Sequence, residues 1–443
     1  MINPQRRRNR TAEVLPLTLS LLLSGCVNPI THSTATSDRA FIVYWPPPKN
    51  EKGLRLAVKD NFDLKGTITT AGSQYIASLG QPAQSDAACL TLARQRNVII
   101  VGKTNLSEFA IGPSGFNQYY GIPKNRLSRK LKLIPGGSSS GSAVAVQSGL
   151  ADVAFGTDTA GSVRVPAACC GLVGLKTTFG LVPLQGVFPI EPKYLDTVGP
   201  IARDIDHLVQ GMDLLEKSFA AKFKTAVSRK PLGRQIRIGR LYLAGTDRRV
   251  DQAIDAALSA AQFQIIPLNE SLRAPWEQAK RDGNTVAAAG AWLNDGKYFG
   301  KPGVSAKTEA IIALGEYEYS VNYQGALKRR AVWQAELQKI FKTVDFIAIP
   351  TLQTLTPASP PLGSTAVFEA RMLSIQNTTP VNLAGNPALA VPVPVQNRAV
   401  PLISLELIGP PFSEAGLLNA GRLVELSVNS SIDRSLNTNP VRP

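Results

Sequence analysis

The sequence predicts an α/β protein, and three observations predict it. Segments of strand character alternate with segments of helical character, most clearly between residues 216 and 310. Asn97 to Gly102 is an apolar, β-branched run of the kind a buried strand needs. Short apolar runs lead into glycine-rich loops that open onto helix-forming residues. With 443 residues, 44% of them hydrophobic, the chain can bury a large core, as one large domain or as two or three smaller ones.

Along the chain, Leu54 to Val58 reads as a strand, Asn97 to Gly102 as a second, and Thr104 to Ala110 as a short helix. The loop at 136–142 opens onto Ala143-Val144-Ala145-Val146, a helix start. Val153-Ala154-Phe155 is a short strand feeding a second loop. A strand at Ile236 to Leu243, a helix at 249–262 and a strand at Gln264 to Leu268 follow. One long helical pattern covers 305–341, and Asp345 to Pro350 is again a strand. Leu389 to Val393 and Ile403 to Ile408 read as the last strands, with Ser413 placed to cap a final helix through Leu426.

The two glycine-rich loops carry the chemistry. Ile134-Pro135-Gly136-Gly137-Ser138-Ser139-Ser140-Gly141 is followed by Gly156-Thr157-Asp158-Thr159-Ala160-Gly161-Ser162-Val163-Arg164, which sets Ser138 and Ser162 24 positions apart. Upstream, Val58-Lys59-Asp60-Asn61 places a lysine at the end of an apolar strand. A lysine and two serines can make a hydrolase that needs no histidine, metal or cofactor. The chain has only two histidines, His32 and His207. Its four cysteines, Cys26, Cys89, Cys169 and Cys170, show no metal spacing, so neither a metal nor a cofactor is expected.

These motifs, in this order, resemble the amidase signature family over residues 53 to 430. The flanks extend the likeness: Gly102-Lys103-Thr104-Asn105 with Glu108, Gly171 to Lys176, Asp196-Thr197-Val198-Gly199-Pro200, Asn382 to Pro387 and Gly409 to Glu414. The resemblance implies a large mixed β-sheet covered by helices on both faces. It implies Ser162 as nucleophile, Ser138 after a cis peptide bond as proton bridge, and Lys59 as base. A lysine can serve only if burial lowers its ordinary pKa of about 10.4. The backbone N–H groups of Thr159, Ala160, Gly161 and Ser162 would form the oxyanion site, with Ser139, Asp158 and Arg164 supporting the loops. The chain departs from the family pattern at Ala160, where glycine is usual and positive φ would strain alanine. It departs also at Ser140, Thr177, Ser404 and Glu406, the last two standing for a glycine and a glutamine. The function implied is hydrolysis of the carbon–nitrogen bond of a linear amide, a small molecule, through an acyl-enzyme. The alternatives are an inactive binding protein of the same fold and a glutamine-amidotransferase-type subunit.

Residues 1–26 resemble a bacterial lipoprotein signal. Arg6, Arg7, Arg8 and Arg10 precede an apolar stretch from Val14 to Gly25, which ends Leu23-Ser24-Gly25-Cys26. Lipid on Cys26 and a tether over 27–45 would hold the domain at 46–443, with a variable subregion at 216–310, in the cell envelope. The net charge is +16, concentrated at Lys124 to Lys132 and Lys222 to Arg240. The first cluster immediately precedes the Ser138 loop and is expected near the site rim, facing an anionic membrane surface or acidic substrates. The basic stretches lack regular aromatic interleaving, so nucleic acid is not an expected partner.

Overall fold

In the computed structural model, residues 36–96, 98–361 and 366–437 are described. Among the described residues eleven strands form one sheet: β1 (Phe41–Tyr44), β2 (Arg55–Lys59), β3 (Ile99–Thr104), β4 (Val153–Asp158), β5 (Val173–Lys176), β6 (Thr197–Ala202), β7 (Arg237–Arg240), β8 (Gln264–Pro267), β9 (Phe346–Pro350), β10 (Ala388–Pro394) and β11 (Leu402–Ile408). Their spatial order is β1-β3-β2-β4-β6-β5-β10-β11-β9-β7-β8. The sheet is mixed: β2 runs parallel to both β3 and β4, and β7 to both β8 and β9, while the remaining neighbours are antiparallel. Successive strand residues point to opposite faces, and both faces are apolar. Leu56, Val58, Val153 and Phe155 pack beneath helices Ile205–Leu215, Arg248–Ala260 and Glu414–Asn437. Ala57 and Ala154 pack on the other face beneath Ser140–Gln147 and Arg164–Cys170. Farther along the sheet, Ile347, Ile349 and Ile408 meet Trp276, Trp333 and Val381. The expected α/β architecture, a large mixed sheet covered by helices on both faces, is thus present.

Several elements differ from the sequence expectation. The last residues assigned to the tether form β1, which pairs antiparallel with β3. The helix expected at 104–110 is absent: β3 runs through Thr104, and only a 3₁₀ turn, Glu108–Ala110, follows. Phe109 and Ala110 there take φ of 54° and 60°, which no α-helix accommodates. The Glu108 carboxylate instead accepts hydrogen bonds from Ser305 and Thr308, some 200 residues away. The pattern over 305–341 is two helices, Ala306–Val321 and Tyr323–Ile340, separated at Asn322. The strand at 236–243 stops at Arg240. Ser413 holds the start of the final helix through its carbonyl, which accepts from Leu417 N–H, and that helix continues to Asn437. Cys26, the signal segment and residues 27–35 of the tether lie outside the described residues.

Candidate active site

Two parallel strands set the site. β2 and β4 are neighbours in register Leu56↔Val153 to Val58↔Phe155, so their C-terminal ends open side by side. Ligands of open α/β sheets lie beyond such ends. Lys59 is the last residue of β2, and β4 ends in Thr157 and Asp158 just before the Ser162 loop. The Ser138 loop enters beneath this pair and turns into helix Ser140–Gln147.

Lys59 is fully buried. Its Nζ lies 2.8 Å from Ser138 Oγ and 2.8 Å from Thr157 Oγ1. Asn61 Nδ2 donates to the same Thr157 oxygen at 3.0 Å. Burial lowers the Lys59 pKa to about 7, against the opposing pull of Asp158 and Asp196. The Gly137–Ser138 peptide bond is cis. Ser139 N–H donates to the Ser162 carbonyl at 3.2 Å, which joins the two loops.

Asp158 organises the Ser162 loop. Its carboxylate accepts from the N–H groups of Gly161 (2.8 Å) and Val163 (3.2 Å) and from Asn382 Nδ2 (2.8 Å). The fully buried Arg164 donates to it twice, at 2.8 and 3.0 Å, and also reaches Glu406 Oε1, Asn382 Oδ1 and Thr378 O. Burial alone would push the Asp158 carboxyl up; Arg164, Lys176 and Asn382 together hold it well below the usual carboxylate range. For Glu406 burial prevails, and its pKa lies above the usual value despite Arg164. Thr159 Oγ1 donates to Asp196 at 2.6 Å, and the Ala160 carbonyl accepts from Thr378 Oγ1 at 2.5 Å.

The expected strain at position 160 does not arise. Gly161, not Ala160, takes the positive φ, at 131°. A Cβ on Gly161 would also stand 2.2 Å from Thr378 Oγ1, so glycine is required there on two counts. The expected oxyanion set needs one correction: Gly161 N–H is already committed to Asp158. Thr159, Ala160 and Ser162 line the adjoining cavity.

That cavity has a volume of about 640 Å³. Its walls come from Ala110 to Pro113, Gly137, the Ser162 loop and helices Arg273–Asp295, Ala306–Val321 and Ala366–Ile375. The sequence reading did not single out Thr157, Asn61, Thr378 or the cavity helices. Thr157 and Asn61 stand inside the quoted motifs, so their positions were visible although their contacts with Lys59 were not. The helix walls have no local signature.

Both basic clusters lie elsewhere. Lys124, Arg126, Arg129, Lys130 and Lys132 are all exposed, and none lines the cavity. Asn125 ties their loop to the Cys169 carbonyl at the C-terminal end of helix Arg164–Cys170, away from the Ser162 end. Proximity in sequence to Ser138 did not bring these cations to the cavity. In the second cluster Lys230 and Arg237 pair with Asp345, and Arg240 pairs with Asp251 and Asp255. Cys89, Cys169 and Cys170 are buried free thiols, and His207 sits on a surface helix beside Asp204.

A family model described as Amidase matches residues 50–418. The chain belongs to the Amidase family. It is 32% identical over 414 residues to a glutamyl-tRNA(Gln) amidotransferase subunit of Halobacterium salinarum, covering 84% of this chain and 95% of that protein. It is also 32% identical over 389 residues to 2-amino-5-chloromuconic acid deaminase of Comamonas testosteroni, covering 84% and 81%. The solved structure of the corresponding glutamyl-tRNA(Gln) amidotransferase subunit from Thermotoga maritima superposes with a TM-score of 0.69 at 25% identity, over 87% of this chain and 86% of that one. Family membership makes this chain an Amidase-family hydrolase acting on carbon–nitrogen bonds.

Proposed function

We propose that this Amidase-family enzyme hydrolyses a linear carboxamide through Ser162, Ser138 and Lys59. Ser162 Oγ attacks the carbonyl carbon and passes its proton to Ser138, whose own proton moves to Lys59 Nζ. The C–N bond of the tetrahedral intermediate then breaks, and Lys59 returns the proton through Ser138 to the leaving nitrogen. Water repeats the sequence on the acyl-enzyme and releases the carboxylic acid. The N–H groups of Thr159, Ala160 and Ser162 are the candidates to hold the oxyanion. Asp158, Arg164 and Ser139 hold the loops in place.

The observation that carries this reading is the Lys59–Ser138 contact of 2.8 Å in a fully buried setting that lowers the lysine pKa to about 7. When Lys59 is neutral its lone pair accepts the Ser138 O–H, the direction in which the relay must start. Removing the nucleophile tests it. Ser162→Ala should leave the fold intact, abolish labelling by a fluorophosphonate and lower turnover by roughly three orders of magnitude or more. Turnover above a tenth of wild type would remove Ser162 from the role. Absent labelling of the wild type would favour an inactive binding protein.

The similarity to amidotransferase subunits supports a second reading, in which the released ammonia serves a partner's reaction. Amide hydrolysis that rises only when a partner protein is added would favour it. The sequence of residues 1–26 supports an envelope location through lipid on Cys26, and the exposed basic loop at 124–132 would add attraction to anionic lipid.

A further inference from the structure

The chemistry of the cavity wall selects among substrates, and the inference drawn from it rests on the Ser162 mechanism above. Ala287, Ala288 and Ala291 on helix Arg273–Asp295 line one side of the cavity, and Ala310, Ile311 and Leu314 on helix Ala306–Val321 line the next. The two helices meet closely: a Cβ on Gly315 would stand 2.1 Å from the Ala288 carbonyl. Small side chains on closely packed helices leave an apolar slot opening beside Ser162.

The charged groups of the same cavity are already engaged. Arg329 grips Asp282 at 2.6 and 2.9 Å. Lys307 and Glu369 are 3.4 Å apart. Glu318 accepts from Thr285 and Asn322, and Arg281 donates to Gln278. A charged substrate would have to compete with the Arg329–Asp282 and Lys307–Glu369 pairs, while an apolar group gains contact without breaking either.

We propose that the slot is the acyl pocket, and that the preferred substrates are carboxamides with a bulky apolar acyl group, branched alkyl or aryl. The acyl group stays bound to Ser162 from the first step until water releases it, so its place is the apolar wall; the nitrogen fragment leaves first and must reach solvent.

The test measures kcat/KM for two series, primary amides of increasing acyl size from acetamide to hexanamide and phenylacetamide, and N-alkyl acetamides of increasing alkyl size. Each buried methylene of the acyl chain should raise kcat/KM about fourfold until the slot fills. Ala288→Leu should shrink the preference for large over small acyl groups at least tenfold. Ala310→Leu should act the same way and, on an exposed helix position, does not disturb the core. A flat or falling acyl series would overturn the proposal. So would size dependence confined to the N-alkyl series, or a preference unchanged in both variants. Fluorophosphonate labelling of wild-type Ser162 is run in parallel. Labelling with a flat acyl series refutes the pocket assignment alone, whereas no labelling and no hydrolysis of any amide refutes the underlying mechanism.

Discussion

Lys59→Met separates what the lysine does for catalysis from what it costs the fold. The side chain is fully buried, and burial lowers its pKa from 10.5 to about 7. That difference corresponds to about 5 kcal/mol of destabilisation while the lysine is buried and charged. The penalty is fully present below pH 7, shrinks as the pH rises from about 7 to 10.5, and is absent above that range, because only there does the unfolded chain also lose the proton. Methionine has similar length and no charge, so it removes the penalty. It also strips the Ser138 and Thr157 hydroxyls of their lysine partner, at about 1–3 kcal/mol each. The expected net effect at pH 6 runs from a gain of about 3 kcal/mol to a loss of about 1 kcal/mol, and it shifts against the variant towards pH 10. Activity should move the other way. Wild-type kcat/KM should climb with a midpoint near 7 and stand at about a tenth of its plateau one pH unit below that. Lys59→Met should lose that limb and most of the rate. Lys176 and Glu191 are also shifted to about 7, so the limb must disappear in this variant to be assigned to Lys59. Calorimetric unfolding from pH 5 to 10 and initial rates over the same range are the assays. An unchanged pH–rate profile in Lys59→Met, or a variant less stable at pH 6 than at pH 9 relative to wild type, would refute the reasoning.

Two further outcomes follow from the same physics. Glu406 is buried with Oε2 unpartnered and its pKa raised by burial, so stability is lost as the pH rises from the ordinary carboxyl pKa to its own raised value, and the full cost of the ionised form persists above that. Glu406→Gln should therefore raise Tm more at pH 8 than at pH 5, and the opposite order would show that the charged pair with Arg164 is net stabilising. If Cys26 carries lipid, mass spectrometry of membrane-fraction protein should find an acylated cysteine N-terminus, with liposome association that weakens in salt when the five cations at 124–132 are intact. An unmodified Met1 on cytosolic protein would remove the anchor.

The sequence by itself determined the family motifs and their local scaffolding. Lys59, Ser138 and Ser162 stand in short motifs whose glycines and small side chains restrict the backbone, and such restrictions are local. Strands such as β3, β9 and β11 were legible because their apolar β-branched runs meet a requirement of each strand alone. Only the tertiary structure decided what depends on distant partners. The stretch after Thr104 fails to become a helix because Glu108 is bound by Ser305 and Thr308. Thr157 steers Lys59 only because β2 and β4 are parallel neighbours. Ala160 escapes strain because the turn places its positive φ on Gly161, against Thr378. The cations at 124–132 adjoin Ser138 in sequence yet lie off the cavity, since their loop is pinned to Cys169. The apolar wall of the cavity arises where Ala287, Ala288 and Ala291 of one helix stand beside Ala310, Ile311 and Leu314 of another, and their side-chain pattern acquires meaning only when the two helices pack together.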